Sequence, residues 1–435
     1  MRSLTRRHFV YSAGISLTAA QATRVMGAND RIQVGVIGIG GRGQAHLGMY
    51  GSNPDCDIAA VCDVDQAARE RAVARVNKTT QREPKAYIDM REMFADKNID
   101  AVSAALPNHW HALSTIWACQ AGKDVYVEKP ACHNIFEGLK MVEAARKYRR
   151  IVQVGSQGRS MPYKIKAMQL LRDGFIGKLY LAKGLCYKRR VSIGHTPDAP
   201  VPLGVDWDKF LGPAPMRPFS TNRFKYNWHW FWDTGNGDIG NQGIHEMDTA
   251  RWGLGKPGLP KSVVSTGGKY VYTDDQETPN TQNATFDYGD SQIVFEVRGL
   301  LTGGEGGITP GGGGSAIGDL FYGSDGWMAI DGRGFQVYKG EKNEKVLDEK
   351  ADAGEAQAHI ANFLKAVRSL KPEELTADVE VGVISASLVH LANASYRTGR
   401  KLPVDAKAMR FVGDSEANQL LTRVYRAPYV VSEQV

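Results

Sequence analysis

Cysteine, internal repeats and long apolar runs are scarce in this chain, and each scarcity excludes a class of protein. The 435 residues include five cysteines, an odd number with no C-x-x-C spacing, which disfavours a disulfide framework and a zinc site. We expect all five to be buried free thiols. No block of lysine and arginine is large enough to indicate nucleic-acid binding.

The positive charge of the chain is concentrated at its N-terminus. The net charge is +7, and residues 1–28 hold four arginines and no acid, so three positive charges remain without them. Thr5–Val10 has the twin arginine and the aromatic residue of a Tat export signal, and the weakly apolar stretch 10–20 follows it. That stretch is too short and too polar for a spanning helix. We therefore predict a signal peptide over residues 1–28, a periplasmic location and no membrane contact beyond export, with a disordered cytoplasmic tail as the alternative.

Strands and helices alternate in the first part of the chain, and the pattern then changes. Apolar strand-like runs separated by helical stretches over residues 30–155 predict a Rossmann domain with a doubly wound parallel sheet. Longer strands separated by turn signals predict a C-terminal α/β domain with an open, mostly antiparallel sheet over residues 156–410. Residues 411–435 are expected to form a docking tail, and the Pro- and Gly-rich segment 193–218 an irregular connection near the site. The predicted fold class is therefore α/β.

Glycine is abundant, with 48 residues in 435, and its most informative cluster follows the first strand. The run after the apolar segment Val34–Ile37 fits G-x-G-x-x-G. In this motif the first glycine permits a tight turn, the second lets a pyrophosphate approach the backbone, and the third lets the following helix pack on the strand. We expect a dinucleotide cofactor to contact Gly38, Gly40, Gly41, Arg42 and Gly43.

An acid at the end of the second strand indicates which form of the cofactor is bound. The strand is predicted over Ile58–Cys62, and Asp63 follows it, 20 residues beyond Gly43. A carboxylate there accepts hydrogen bonds from the adenosine ribose and repels a 2′-phosphate, which predicts NAD. Arg42 and Arg69 keep NADP open as the alternative.

Polar residues follow the fourth and fifth predicted strands, at the edge that carries the glycine loop. We expect Asn108 and His109 beside the cofactor, unless they only cap the next helix. Trp110 could cover the bound ligand. After the fifth strand, Glu128 is expected to orient Lys129 beside the cofactor, where the ammonium could polarise a hydroxyl and stabilise an alkoxide. A surface lysine is the alternative.

A predicted helix that begins at Asn241 places three polar residues on one face. Asn241, His245 and Asp248 are four and three residues apart. His245 could relay a substrate proton, with Asn241 or Asp248 setting its tautomer, whereas a structural histidine is the alternative. His109 and His111 form an H-x-H pair without a further ligand nearby, so no metal site is predicted.

The segment 226–233 alternates aromatic rings with polar side chains. Exposed aromatic rings stack on sugar rings, whereas core aromatic residues only fill volume. Trp228, His229 and Trp230 are therefore predicted to line a substrate wall, with core packing as the alternative. Tyr163 is a further candidate for substrate contact, together with Trp110, Asn241 and Asp248.

Several of these motifs together resemble the Gfo/Idh/MocA oxidoreductase family, and the resemblance covers nearly everything after residue 30. They are the glycine loop, the acid at Asp63, PNHWH at 107–111, VEKP at 127–130 and GNQGIHEMD at 240–248. The resemblance implies a Rossmann domain, an α/β domain whose open sheet makes an oligomer interface, NAD or NADP, and sugar or polyol substrates.

By position, the resemblance implies that Lys129 is the active-site lysine and His245 the catalytic histidine. The family usually has an aspartate four residues before that histidine, where this chain has Asn241. Because an amide cannot take a proton, His245 would have to work with Asp248, Lys129 or a tyrosine.

The leader and the tryptophan-rich segment resemble an exported, sugar-acting branch of this family. Since free NAD is scarce outside the cytoplasm, we expect a tightly bound cofactor that is regenerated in each cycle. The leading hypothesis is an NAD(P)-dependent oxidoreductase that acts on a sugar or polyol hydroxyl. The alternatives are a redox-neutral NAD-dependent glycoside hydrolase, which would oxidise, eliminate, hydrate and re-reduce, and a non-catalytic protein that binds a sugar or nucleotide. We expect a homo-oligomer through the C-terminal sheet and no nucleic-acid partner.

Overall fold

Six short strands, mostly apolar and buried, form the sheet of the first part of the chain. The computed structural model describes residues 31–351 and 355–435, so the predicted signal peptide lies outside the described residues. The strands are Ile32–Ile37 (β1), Cys56–Cys62 (β2), Lys85–Tyr87 (β3), Ala101–Ala104 (β4), Asp124–Val127 (β5) and Val152–Val154 (β6). The helices between them are Gly41–Gly51 (α1), Gln66–Thr80 (α2), Met90–Ala95 (α3), Asn108–Gln120 (α4) and Ile135–Lys147 (α5).

The strands of this sheet are all parallel, in the order β3-β2-β1-β4-β5-β6, which confirms the predicted doubly wound sheet. Ile37, at the end of β1, pairs with Cys62 of β2 and with Ala104 of β4. Ala104 in turn pairs with Val127 of β5. Because these four strands end in register, the segments that follow them meet at one edge of the sheet.

A second, ten-stranded sheet follows, and it is mostly antiparallel as predicted. Its strands are Leu179–Tyr187 (β7), Ser262–Gly268 (β8), Thr281–Asp287 (β9), Gln292–Arg298 (β10), Ala316–Gly323 (β11), Gly326–Asp331 (β12), Gly334–Lys339 (β13), Glu344–Lys350 (β14), Leu402–Asp405 (β15) and Arg410–Phe411 (β16). The order is β14-β13-β12-β11-β7-β10-β9-β8-β15-β16, and β7 and β10 pair in parallel. The edge strand β14 was not predicted, because its residues are mostly charged and exposed and lack an apolar alternation.

The second part of the chain also contains helices, several of which pack on this sheet. They are Pro162–Arg172 (α6), Trp207–Leu211 (α7), Gly237–Asn241 (α8), Gly243–Gly253 (α9), Glu355–Ser369 (α10), Val379–Thr398 (α11) and Ser415–Gln419 (α12). Short 3-10 turns lie at Gln157–Ser160, Thr221–Arg223, Lys225–Trp230, Gly312–Gly314 and Pro372–Glu374. The helix predicted to begin at Asn241 is interrupted at Gln242, which separates α8 from α9.

One hydrophobic core runs through both parts, and residues 32–435 form one compact unit. The close packing of α5 on α11 is visible at Gly138, where an added Cβ would come within 2.7 Å of Val383. The C-terminal tail docks on the first part as an extended segment after the short helix α12. There the Phe136 N–H donates to the Leu421 carbonyl at 3.0 Å, and the Tyr429 ring packs on Trp110.

The five cysteines all lie among the described residues and are buried thiols, as expected. Within residues 31–351 and 355–435, no helix has the length and apolar character needed to cross a bilayer. The same residues contain no group of three or more histidine, cysteine and acidic side chains arranged to hold a metal ion.

Candidate active site

The glycine loop between β1 and α1 is tightly packed at its first and third motif glycines and open at its second. Gly38 has a φ of +77°, and a Cβ there would lie 2.5 Å from the carbonyl oxygen of Ala105. A Cβ on Gly43 would lie 1.8 Å from the carbonyl oxygen of Gly38. A Cβ on Gly40 or Gly41 would meet no atom of the described residues within 4 Å. The loop therefore leaves open space at the N-terminus of α1, where a pyrophosphate would accept hydrogen bonds from main-chain N–H groups.

Asp63 at the end of β2 holds the glycine loop. Its carboxylate accepts a hydrogen bond from the Ile39 N–H at 2.6 Å and another from the Asp65 N–H at 2.9 Å. Burial raises the pKa of the Asp63 carboxyl, while the two N–H donors oppose that shift. Arg69 donates to the main-chain oxygen of Asp63 at 2.6 Å. The acid thus lies against the loop, as its predicted role beside a ribose requires.

Glu128 is the centre of a buried polar network rather than a direct partner of the Lys129 ammonium. Its carboxylate accepts from Arg42 Nε at 2.7 Å and from His46 Nε2 at 3.0 Å. Burial would raise the pKa of Glu128, but the Arg42 charge and the His46 hydrogen bond outweigh burial and hold it well below its usual value. The carboxylate reaches Lys129 only through its backbone N–H, at 3.2 Å. Glu128 therefore fixes the backbone that carries Lys129, and Arg42 is engaged before any ligand binds.

Lys129 and His245 lie in the same place, at the break between α8 and α9. Lys129 Nζ donates to the main-chain oxygen of Asn241 at 2.9 Å. Burial lowers the pKa of the Lys129 ammonium. Burial, reinforced by the charge of Lys129, lowers the pKa of His245 to about 3, so its imidazole is neutral near pH 7. Within the described part of the chain, no side chain forms a hydrogen bond with this imidazole. A proton acceptor and a cationic donor are thus placed together.

Asn241 directs its side chain to Tyr226, a residue that sequence reasoning did not select. Asn241 Nδ2 donates to the Tyr226 hydroxyl at 3.1 Å, and Arg190 donates to the same oxygen at 2.9 Å. Arg190 is held in turn by two hydrogen bonds to Asp238, at 2.9 and 2.6 Å. Tyr226 is 52% exposed. Tyr226 is the first ring of the aromatic run 226–233, and that run is the sequence signal for it.

Asp248 does not contact His245, which corrects the predicted pairing. Its carboxylate accepts two hydrogen bonds from Arg159, both at 2.8 Å, and one from the Ser385 hydroxyl at 2.5 Å. Although burial alone would raise the pKa of Asp248, these partners lower it. Asp248 is therefore a buried ion-pair residue and not a substrate contact.

Asn108 and His109 lie in the interior, where their polar atoms form contacts with the second part of the chain. Asn108 donates to the Asn236 side chain at 2.9 Å. The two ring nitrogens of His109 lie 3.0 and 3.3 Å from the carbonyl oxygens of Phe210 and Thr234. Both residues are only 1% exposed, so they connect α4 to the second part of the chain instead of contacting a cofactor. Asn108 also lies inside α4 and does not cap it.

Trp110 and Tyr163 are core residues, which corrects their predicted contact with substrate. Trp110 Nε1 donates to the carbonyl oxygen of Phe210 at 3.0 Å, and its ring packs against Tyr429. The Tyr163 hydroxyl donates to the carbonyl oxygen of Asp331 at 2.8 Å. Both side chains are almost completely buried.

The aromatic run 226–233 contains one buried ring that supports Arg190 and a half-buried, stacked pair. Trp230 is buried and lies under the Arg190 guanidinium, 5.0 Å from the ring centroid, so it supports Arg190 rather than facing a ligand. Trp228 and His229 are half-buried and stack on each other with centroids 3.6 Å apart. Burial, with the nearby charges of Lys129 and Arg190, lowers the pKa of His229 well below its usual value. His229 therefore lies near Lys129, where substrate contact stays a prediction.

Comparisons with protein families match almost the whole described chain. A family described as an oxidoreductase family with an NAD-binding Rossmann fold (GFO_IDH_MocA) matches residues 32–156. Its C-terminal α/β domain (GFO_IDH_MocA_C2) matches residues 166–298 and 324–431.

Curated relatives match a shorter part of the chain. The alpha-N-acetylgalactosaminidase of Shewanella oneidensis is 25% identical over 207 residues, which are 41% of this chain and 45% of that protein. A glycosyl hydrolase family 109 protein of Saccharopolyspora erythraea is 29% identical over 183 residues, 40% of each chain. The match thus spans less than half the length of these relatives.

Solved structures match the fold over most of the chain. The WlbA dehydrogenase of Bordetella pertussis, in complex with NADH and UDP-GlcNAcA, superposes with a TM-score of 0.64 at 19% identity, covering 86% of this chain and 99% of that one. Levoglucosan dehydrogenase, in complex with NADH and levoglucosan, gives a TM-score of 0.65 at 17% identity, covering 86% and 100%.

Proposed function

The chain belongs to the Gfo/Idh/MocA oxidoreductase family, and from that premise we propose that it oxidises a hydroxyl group of a sugar or polyol with a tightly bound nicotinamide dinucleotide. One observation carries the proposal. The neutral imidazole of His245 and the ammonium of Lys129 lie together at the edge of the sheet where the open glycine loop also lies. The carbohydrate substrate is supported by the sugar ligands named for two structures of the same fold.

The two side chains have complementary roles in this proposal. A bound nicotinamide ring would supply the hydride acceptor. His245 Nδ1 or Nε2 accepts the proton of the substrate hydroxyl, since the imidazole is already neutral. Lys129 Nζ donates a hydrogen bond to the same oxygen as negative charge develops on it. The Asn241 carbonyl holds the ammonium in place before substrate binds.

NAD is the proposed form of the cofactor. A 2′-phosphate beside Asp63 would meet a carboxylate, and both nearby arginines already have hydrogen-bond partners in the protein. Arg42 is bound to Glu128, and Arg69 to the main-chain oxygen of Asp63. Fluorescence titration of cofactor-stripped protein tests this point, with NADH expected to bind more tightly than NADPH.

Tight retention of the cofactor is supported by a segment that covers the end of β2. The Gln66 N–H donates to the Gly204 carbonyl at 2.9 Å, and the Asp206 N–H donates to the Val64 carbonyl at 3.0 Å. The connection between β7 and α8 is thereby attached next to Asp63, beside the place proposed for the adenosine. We propose that the protein is exported to the periplasm with its cofactor inside, and that it forms a homo-oligomer through the second sheet.

Nicotinamide reduction by a panel of sugars and polyols tests the main proposal. The protein is expected to show a nicotinamide fluorescence signal as purified, and one sugar class should raise that signal. A His245→Gln variant should bind the cofactor and the sugar, but the sugar should no longer increase the nicotinamide fluorescence. A rise that survives in this variant would contradict the assigned role of His245.

A redox-neutral glycoside hydrolase is the second candidate, favoured by the position of Tyr226. The curated relatives are named as glycosyl hydrolase family 109 proteins, and Tyr226 places a second proton-transfer group near Lys129. In this reaction the bound cofactor ends in its starting state, and a base removes the C2 proton while C3 is a ketone. Turnover of glycosides in deuterated water should then place deuterium at C2 of the released sugar. A non-catalytic binding protein would show neither nicotinamide reduction nor deuterium incorporation.

A further inference from the structure

Three lysine side chains lie along α9 and the two residues before it, without a carboxylate partner among the described residues. Lys129 Nζ donates to the main-chain oxygen of Asn241 at 2.9 Å, and Lys188 Nζ donates to the side-chain oxygen of the next residue, Gln242, at 2.8 Å. Lys164 Nζ, from α6, lies 3.5 Å from the hydroxyl of Thr249, one turn after His245. Among the described residues, none of these ammonium groups has a carboxylate oxygen within 4.0 Å. All three lysines are half-buried.

The ionised carboxylates around this cluster are already paired with arginines. Glu128 accepts from Arg42 at 2.7 Å, and Asp238 accepts from Arg190 at 2.6 and 2.9 Å. Asp248 is held by two hydrogen bonds from Arg159. These acids therefore do not neutralise the three lysines.

The two remaining acids near the cluster are buried and poorly solvated. Gln242 Nε2 lies 3.4 Å from the Glu246 carboxyl, and burial raises the pKa of Glu246 to about 7. Asp319 is 1% exposed, and its Oδ1 has no hydrogen-bond partner among the described residues. Burial raises the pKa of Asp319 well above its usual value, so a protonated carboxyl fits this position. The site consequently holds an excess of positive charge in a partly dehydrated place.

We propose that the substrate carries an anionic substituent, a carboxylate or a sulfate ester, which is bound by Lys164 and Lys188 while Lys129 contacts the reacting hydroxyl. Half-buried ammonium groups without a counter-charge are costly, and a bound anion would remove that cost. An oxidised nicotinamide is itself positively charged, so it cannot supply the missing negative charge. This inference rests on the proposed function, because it takes the Lys129 and His245 site as the place where sugar binds.

Binding of matched charged and neutral sugars to the cofactor-loaded protein tests the inference. The probes are the methyl glycosides of glucuronate, galacturonate and mannuronate, the corresponding 6-sulfates, and their uncharged parent hexosides, measured by calorimetry. At low salt, at least one anionic probe is expected to bind about tenfold or more tightly than its neutral parent, and added salt should reduce that preference. The carboxylate and sulfate probes distinguish the two sources of charge.

Single lysine variants identify which ammonium groups act. Lys188→Met and Lys164→Met should each reduce the preference for the anionic probe several-fold while leaving affinity for the neutral parent unchanged. Lys166→Met is the matched control, because Lys166 lies on the same helix as Lys164 but is exposed and paired with Glu349 at 2.8 Å. Equal affinity for charged and neutral probes, or no binding by any anionic probe, would overturn the inference.

The same samples separate this inference from the proposed function. Reduction of the nicotinamide by neutral sugars, without any preference for charge, would support the oxidoreductase and overturn the anionic substrate. Lysine-dependent binding of an anionic sugar without any nicotinamide reduction or C2 exchange would support the anion site and overturn the proposed catalysis.

Discussion

The ammonium of Lys129 is held by the main-chain oxygen of Asn241, at 2.9 Å, and by no side-chain carboxylate of the described residues. A backbone acceptor is present whichever residue occupies position 241, so replacing an aspartate by asparagine leaves this support intact. The freed side chain instead donates to the Tyr226 hydroxyl. Asparagine in place of aspartate at position 241 therefore removes a carboxylate and makes the site more positive. Asn241 also contacts both Lys129, through its main-chain oxygen, and Tyr226, through its side chain.

Replacing Lys129 by methionine should reduce turnover by about 10²–10³-fold, because a charged hydrogen-bond donor to the developing alkoxide is lost. The measurement is single-turnover nicotinamide reduction with the best sugar of the panel. Binding of the cofactor should persist, since the glycine loop and Asp63 do not contact the Lys129 ammonium. A loss of cofactor signal in this variant would mean that Lys129 is structural.

The acid side of the pH–rate profile should remain flat well below the usual histidine range. Burial and the Lys129 charge lower the pKa of His245 to about 3, so protonation of this base does not begin until the solution is strongly acidic. We expect kcat/KM to change less than about twofold between pH 7 and pH 5.5 through His245. A limb with a midpoint near pH 6.5 that persists in Glu246→Gln would contradict the buried position of this imidazole.

Two alanine substitutions in the glycine loop should have separate effects. A Cβ on Gly43 would lie 1.8 Å from the Gly38 carbonyl oxygen, so Gly43→Ala should destabilise the fold by about 2 kcal/mol or more. A Cβ on Gly40 meets no atom of the described residues within 4 Å, so Gly40→Ala should destabilise the fold much less than Gly43→Ala. It should nevertheless lose cofactor, because the methyl group occupies the space proposed for the pyrophosphate. Thermal unfolding and the nicotinamide signal of the purified variants measure the two effects.

The sequence was sufficient to predict the part of the site that follows from strand ends. Gly38 and Asp63 come directly after short apolar runs, and Lys129 is the second residue after another. Parallel pairing brings such positions to one edge of the sheet. Residues within helices could not be assigned in the same way. Trp110 follows a strand as Lys129 does, but the direction of its side chain depends on α7 and the C-terminal tail, which pack on it.

The interruption at Gln242 explains a second difference between prediction and structure. An unbroken helix would place Asn241, His245 and Asp248 on one face. Instead α8 ends at Asn241, whose carbonyl is left for Lys129, and Asp248 is taken by Arg159 from the turn at Gln157–Ser160. The sequence holds no local signal for that distant partner, since 89 positions separate the two residues.

Replacing Tyr226 by phenylalanine should distinguish the oxidoreductase from the glycoside hydrolase. The variant removes the oxygen that accepts from Asn241 and Arg190 and leaves Lys129 and His245 in place. If Tyr226 exchanges the C2 proton, deuterium incorporation should fall by about 10²-fold or more while nicotinamide reduction continues. Equal losses of both signals would show that Tyr226 only supports the site. Trp228→Phe, which changes a neighbouring ring and no proton-transfer group, is the matched control.

The pH dependence of the free energy of unfolding should depend on buried side chains whose pKa values are shifted in opposite directions. His390 is buried beside Cys132, and burial lowers its pKa to about 4. Below pH 6.5 the unfolded chain therefore binds a proton at this histidine that the folded chain does not, so stability falls as the pH falls from 6.5 toward 4. Between pH 8 and pH 5 this effect is about 2 kcal/mol, and His390→Gln should remove it.

Glu137 provides the opposite case in the same part of the fold. It is completely buried under Tyr425, and burial raises its pKa to about 7. Between pH 7 and pH 4.5 the folded chain binds a proton here that the unfolded chain does not, so this group adds stability as the pH falls and loses it as the pH rises. Urea unfolding at pH 8 and pH 5 should therefore show a smaller acid-induced loss for His390→Gln than for the parent, and a larger one for Glu137→Gln. If the free energy of unfolding of both variants changes with pH as that of the parent does, His390 and Glu137 are hydrated in the folded protein. Water would then reach the interior against which the C-terminal tail docks.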